Sequence, residues 1–150
     1  MVEVNQQQGV AQLSYESAVY REQLRLLQNE IKRIDFAMVD LSKAVQTAER
    51  IKNDDVLVPV GGGSFVKATV YSTKLLVPVG ADYLVEMEKD EAVGEINKRI
   101  EATKKAIEKL NAEFQKVSSK LQEVNGILNN LQSQAAINKQ VDENIGEDYI

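Results

Sequence analysis

Apolar residues recur at alternating spacings of three and four along two long stretches of this chain, and no other feature restricts its fold as much. In the first stretch Val10, Leu13, Tyr20, Leu24, Leu27, Ile31, Ile34, Met38, Leu41, Val45 and Ala48 carry the pattern, interrupted only by Ser17. In the second Val93, Ile96, Ile100, Ile107, Leu110, Phe114, Val117, Leu121, Val124, Leu128, Leu131 and Ala135 carry it, with Thr103 and Asn138 as polar exceptions. Each run exceeds five heptads and contains no proline. A 3.5-residue apolar repeat of that length predicts helices that pack as a coiled coil. Folded back antiparallel with Ala48 facing Val93, the same register brings Leu41 to Ile100, Ile34 to Ile107, Leu27 to Phe114, Tyr20 to Leu121 and Leu13 to Leu128. A first helix reaching from about residue 5 to 53 would be on the order of 70 Å long, so the expected object is a rod.

Between the helices, over 54–89, the composition changes and a gapless repeat appears. Val56-Leu57-Val58-Pro59-Val60-Gly61-Gly62-Gly63-Ser64-Phe65-Val66 matches Leu75-Leu76-Val77-Pro78-Val79-Gly80-Ala81-Asp82-Tyr83-Leu84-Val85 at a separation of 19 residues. Each unit is a β-branched run, a glycine-containing turn and a second short run, which predicts a β-hairpin. Pro59 and Pro78 lack a ladder donor and belong on an outer strand, at a bulge, or with the missing donor facing solvent. Two hairpins with free edges make a poor monomer, so the chain is expected to join an oligomer through this segment. The predicted fold class is α+β: a long antiparallel coiled-coil helical hairpin with two β-hairpins between the helices. Its parts are a helix over 1–53, tandem hairpins over 54–89, a helix over 90–140 capped by Asp90, and an acidic tail over 141–150.

Composition removes most chemistry. The 150 residues include no His, Cys or Trp, so the usual imidazole, thiol and zinc sites cannot be built, and no metal or cofactor is expected. A formal charge of −5 opposes a phosphate-backbone partner, so nucleic acid is not expected. No stretch approaches the roughly 20 apolar residues a membrane helix needs, which with the absence of cysteine leads to an expected cytoplasmic location. Gly61-Gly62-Gly63-Ser64 lacks the Gly-Lys-Ser/Thr ending of a phosphate loop and reads as a turn. Glu30, Asp35, Asp40, Glu101, Glu108 and Glu113 fall on solvated helical faces, and Lys98, Arg99, Lys104, Lys105 and Lys109 interleave with Glu as surface ion pairs.

The informative feature is where charge is missing. No Asp, Glu, Lys or Arg occurs from Val4 to Tyr15 or from Val124 to Asn138. In the antiparallel register these segments lie side by side at the end of the rod away from the strands. Val10, Leu13, Leu128, Leu131 and Ala135 are seam residues there, whereas Ile127, Ala136 and Ile137 occupy g, b and c positions that a solvated coiled coil normally fills with charge. Exposed apolar surface of that kind marks an interaction site. Gly126, inside the second helix near this end, costs about 1 kcal/mol relative to Ala, which fits either a loosened end or a tolerated weak position.

With helix, paired hairpins and helix in that order, and with the motifs Leu57-Val58-Pro59-Val60-Gly61-Gly62-Gly63-Ser64-Phe65-Val66 and Val77-Pro78-Val79-Gly80-Ala81-Asp82-Tyr83-Leu84-Val85, the chain resembles the alpha class of prefoldin, archaeal type. The resemblance implies a hexamer of two alpha and four beta subunits, joined by a β platform and carrying coiled-coil tentacles. These hold non-native polypeptides and pass them to a group II chaperonin without ATP hydrolysis. Carried onto this sequence, Val58, Val60, Phe65, Val66, Val77, Val79, Leu84 and Val85 would be assembly contacts, and Val10, Leu13, Tyr15, Ile127, Leu128, Leu131, Ala135 and Ile137 would meet clients. The alternative from the residues alone is a coiled-coil scaffold or adaptor for one folded partner; an enzyme is not expected.

Overall fold

The computed structural model describes residues 2–147, as helix α1 (Val2–Arg50), strands β1 (Asp55–Gly61), β2 (Ser64–Thr69), β3 (Leu75–Gly80) and β4 (Tyr83–Met87), and helix α2 (Lys89–Glu147). The expected fold class is present: two long helices with two antiparallel hairpins between them. The chain divides into two compact units, one combining the residues up to Lys32 with those from Glu108 onward, the other running from Arg33 to Ile107.

In the first unit, helical segments from the two ends of the chain share a seam. Val10, Leu13, Tyr20, Leu24, Leu27 and Ile31 on α1 are half-buried, as are Leu110, Phe114, Leu121, Leu128 and Leu131 on α2, with Ser17, Val117 and Val124 buried. These are the a and d positions of the heptad reading. Burial arises there because a 3.5-residue stripe remains on one side of the helix and only that side meets a neighbour.

In the second unit the same stripe continues through half-buried Ile34, Met38, Leu41 and Val45 to buried Ala48, and through buried Ile96 to half-buried Ile100, Thr103 and Ile107. Thr103 escapes an unpaired hydroxyl by donating to the Arg99 carbonyl oxygen at 2.7 Å. Helix α1 stops at Arg50, three residues short of the expected 53. Asp54 ends the connection, accepting from the Asp55 amide at its own Oδ1 and from the Val70 amide at its carbonyl, both at 2.9 Å.

Each hairpin is a separate two-stranded sheet. In the first, Val58 pairs with Val66 and Pro59 with Phe65; in the second, Val77 pairs with Val85 and Pro78 with Leu84. In both, the register shifts immediately after the proline, between Pro59 and Gly61 and between Pro78 and Gly80. The bulge therefore falls on Val60 and Val79, next to the residue that cannot donate to a ladder. Gly62 and Gly63 turn the first hairpin at positive φ, 57° and 75°, as a two-residue turn matched to strand twist requires. Ala81 and Asp82 adopt the same conformation in the second, at 49° and 61°, without glycine's freedom.

Helix α2 begins earlier and ends later than the sequence predicts. The Ala92 amide donates to the Glu88 carbonyl at 2.9 Å, so Glu88 and not Asp90 takes the cap position. Asp90 and Glu91 then lie in the first turn, where their charge opposes the helix dipole. At the other end the helix continues past residue 140 to Glu147, because no proline follows and the next glycine is Gly146. Asp148, the last acid of the expected tail, lies outside the described residues.

Candidate functional site

Each unit carries an exposed apolar surface. The second unit presents it on the hairpins. Strand alternation places Val56, Val58, Val66 and Ala68 on one face of the first hairpin and Leu57, Pro59 and Phe65 on the other. All are exposed except half-buried Ala68, and Phe65 is 60 % open to solvent. The second face also carries Asp55, Lys67 and Thr69, and a two-stranded ribbon with exposed apolar residues on both faces has no core of its own.

The second hairpin differs. Val77, Met87 and Ala92 form a buried cluster with Leu75 packed on it, so one face of this ribbon is closed against the first turn of α2. Val77, expected as an assembly contact, is 3 % exposed, and its side chain packs inside its own chain. Only Glu88 separates β4 from α2, so the strand delivers its inward face directly onto the helix start. The opposite face keeps Leu76 and Leu84 open to solvent, and Val79, Val85 and Tyr83 are exposed as well.

Of the other residues read as assembly contacts, Val58, Val60, Phe65, Val66, Val79, Leu84 and Val85 are all exposed. Leu57, Leu76 and Tyr83, outside that set, are more open still than Val58. Their signal was available in the repeat, where Leu57 and Leu76 hold equivalent places and period-two alternation turns them away from Val58 and Val77.

The first unit presents the charge-free segments. Val10, Leu13, Leu128 and Leu131 are half-buried in the seam, so only their edges reach solvent. Tyr15 is 71 % exposed on the outer side of α1, and Ile127, Ala135 and Ile137 are exposed on α2. The seam position expected for Ala135 is thus open rather than packed. Ser17 is buried, and its hydroxyl donates to Asn125 Oδ1 at 2.9 Å.

Several of the charges are held in local helical pairs. Arg25 Nη2 and Nε donate to the two carboxylate oxygens of Glu22, at 2.6 and 2.8 Å, and these hydrogen bonds hold the Glu22 carboxyl below its ordinary range. The Lys104 ammonium, 2.8 Å from Glu101, lowers that carboxyl in the same way. Lys98 donates to Glu95 at 2.6 Å and is held above the ordinary lysine range. Nothing in this resembles acid–base machinery, since the shifted groups are solvent-exposed and already paired. A recess at the root of the first hairpin, between Asp55, Leu57, Lys67 and Thr69, has its one carboxylate accepting from the Thr69 hydroxyl at 2.8 Å. Among the described residues no group of three or more acids is placed to hold a metal, and no helix is long and apolar enough to cross a membrane.

Similar sequences and similar folds occur in known proteins. The family model for prefoldin subunits matches residues 20–134. A prefoldin subunit alpha of Methanococcus aeolicus is 35 % identical over 94 residues, which take in 61 % of this chain and 65 % of that protein. One from Methanococcus vannielii is 32 % identical over 124 residues, covering 81 % of this chain and 84 % of the relative. A chain of the filamentous PFD of Methanocaldococcus jannaschii superposes with a TM-score of 0.65 at 25 % identity, over 75 % of this chain and 97 % of that one. The prefoldin beta subunit of Thermococcus strain KS-1 shares the fold at a TM-score of 0.57 and 21 % identity, over 80 % and 89 % of the two chains.

Proposed function

Because the chain belongs to the prefoldin family, we propose that it works in the cytoplasm as the alpha-class subunit of a hexameric chaperone, with four beta-type subunits completing the complex. It is a chaperone subunit and not an enzyme. The hairpins do the joining, and the charge-free end of the helical unit holds non-native polypeptides for transfer to a group II chaperonin, with no nucleotide consumed. The observation that carries this reading is the pairing, in one chain, of hairpin faces left apolar and open with a helical surface from which every charge is missing.

Capture of this kind is weak and multivalent. Each subunit offers a small apolar area, and several on one platform raise the effective concentration of the next contact. Single contacts dissociate fast, so release needs no chemistry. The Val77 cluster makes the second hairpin partly self-supporting and leaves the first to find cover in assembly.

The test is suppression of aggregation of a denatured protein by the complex with a beta-type subunit, without nucleotide. Protection is expected, and removal of Val2 to Tyr15 together with the residues after Val124 is expected to abolish it while native mass reports an intact assembly. Equal protection by the truncated complex would sink the capture site. An adaptor for one folded partner would ignore most denatured proteins, so protection of several unrelated ones excludes that alternative.

A further inference from the structure

The two edges of each hairpin are unlike. The Val70 amide donates to the Asp54 carbonyl oxygen at 2.9 Å, which makes Asp54 and Val70 a hydrogen-bonded pair. Antiparallel pairs alternate, so in the same register Val56–Ala68 and Val58–Val66 are bonded pairs, whereas Asp55–Thr69, Leu57–Lys67 and Pro59–Phe65 turn their backbone groups outward. On β1 that outer edge is nearly closed to a further strand. The Asp55 amide is taken by Asp54 Oδ1 at 2.9 Å and Pro59 has no donor, which leaves the Leu57 amide alone. On β2 the amides of Phe65, Lys67 and Thr69 all point outward, and among the described residues none has a partner.

The second hairpin repeats the asymmetry. Its turn and its register shift match those of the first, so Leu76–Glu86 and Pro78–Leu84 are its outward pairs. Lys74 stands where Asp55 does in the repeat, and its amide is taken by Ser72 Oγ at 3.2 Å. Pro78 again lacks a donor. The open edge is once more the second strand, here β4, with the amides of Leu84 and Glu86 facing out.

Where the open edges can meet, the repeat changes sign. Lys67 on β2 and Glu86 on β4 hold equivalent places 19 residues apart, and both are exposed. Among the described residues neither has an ion-pair partner. Antiparallel pairing of β2 with β4 sets Lys67 opposite Glu86, and opposite charges facing each other across strands are favourable. The same register sets Thr69 opposite Leu84 and, on the other face, Ala68 opposite Val85, so the apolar sides of the two hairpins run on into each other. One chain cannot make this pairing by itself. It would place β3 parallel to β2 beyond β4, a crossover that takes about a dozen residues or more, and only the five residues 70–74 join the hairpins.

We infer that the β2 edge of one copy of this chain takes the β4 edge of a second copy, antiparallel, with Lys67 opposite Glu86. The inference rests on the reading of the hairpins as the joining elements and deepens it by naming the edges, the partner strand and the register. The capped amides and the prolines turn a further strand away from β1 and β3.

The test uses the full chain assembled with a cysteine-free beta-type subunit, since this chain has no cysteine of its own. Ala68 and Val85 would form a non-bonded pair with Cα atoms about 4.5 Å apart, within disulfide reach. Mixed in equal amounts and oxidised, Ala68→Cys and Val85→Cys chains are expected to yield a cross-linked dimer of this chain. Leu57→Cys mixed with Val85→Cys is expected to yield none. Lys67→Glu or Glu86→Lys alone, with helix content unchanged, is expected to weaken the contact between two copies about tenfold at low salt, read by native mass at falling concentration. An equal mixture of the two variants, one isotopically labelled, is expected to recover it with one of each per complex. No cross-link between 68 and 85, an equal yield from Leu57→Cys, or no recovery in the mixture overturns the inference. So does a complex holding a single copy of this chain, since the occupant is then the beta-type subunit. A complex that assembles and protects denatured protein yet fails these tests keeps its chaperone reading and loses only this pairing; a chain that leaves the beta-type subunit unbound loses the assembly reading itself.

Discussion

Ser17 and Asn125 meet across the seam of the first unit: the serine hydroxyl, 3 % exposed at an a position, donates to the asparagine Oδ1 at 2.9 Å. Every other a or d residue of α1 from Val10 to Ala48 is apolar or tyrosine, so on α1 this is where the seam exchanges apolar packing for a directional contact with the facing helix. A buried hydroxyl must keep a partner, and only one axial setting of the two helices supplies this one. Replacing Ser17 with Ala is expected to cost roughly 1 kcal/mol in urea unfolding. No change in the unfolding midpoint would show that the contact is not formed in solution.

Equivalent residues of the repeat should respond differently. Val77 is buried against Met87 and Ala92, whereas Val58 stands exposed. Val77→Ala is expected to destabilise the second hairpin by about 1–2 kcal/mol, read as faster hydrogen exchange in β3 and β4 of the isolated chain. Val58→Ala should leave exchange in the isolated chain nearly unchanged and weaken assembly instead, seen by native mass at falling concentration. Matching exchange rates for the two variants would refute the asymmetry.

The second turn stores strain that the first avoids. Ala81 holds a left-handed conformation, φ 49°, where the first hairpin has Gly62. Left-handed backbone costs an L-residue about 1–2 kcal/mol, and glycine returns part of that as unfolded-state entropy. Ala81→Gly is expected to stabilise the hairpin by roughly 0.5 kcal/mol, measured by thermal unfolding. Destabilisation would mean that the alanine methyl is making contacts in the assembled state.

The seam was legible because burial in a coiled coil depends on spacing alone, and spacing is written in the chain. Asn125 was not, since at an e position its amide reads as one more surface residue until Ser17 is seen opposite. Nor could the repeat separate Val58 from Val77. Both sit in Leu-Val-Pro-Val, and what divides them is that Met87 is followed within two residues by helix whereas Ala68 is not. Val141 was hidden by its neighbours Asp142 and Glu143, which made 141–150 look like a tail although the helix continues through 147.

Helix stability should show a shallow dependence on acid. The carboxyls of Glu22 and Glu101 are held below the ordinary range by hydrogen bonds from Arg25 and Lys104. Groups so shifted stabilise the fold above their unfolded pKa, about 4.3, and lose that contribution as pH falls through the depressed value. Lys98 is raised by its bond to Glu95, so its contribution is lost only as pH climbs beyond the ordinary lysine range. Between these limits stability should be flat. The difference in unfolding midpoint between the wild type and Glu22→Gln is expected to be small, to shrink with added salt, and to close below about pH 4. A gap that widens in acid would reverse the assigned sign.

Client capture should be indifferent to salt. Raising ionic strength from 0.1 to 1 M shortens the Debye length from about 10 to about 3 Å, which weakens contacts between exposed charges and leaves apolar ones intact. Because 4–15 and 124–138 carry no Asp, Glu, Lys or Arg, protection of a denatured protein should persist across that range. Ile127→Lys places a cation in the middle of the surface. It is expected to reduce protection at low salt, and also to create a dependence on client charge that the wild type lacks, with basic clients repelled and acidic ones recovered. Added salt should then remove that discrimination without restoring the lost apolar contact. Wild-type protection that collapses in high salt would mean that clients are held by the charged helical faces, where Glu22–Arg25 and Glu101–Lys104 lie, and not by the neutral segments.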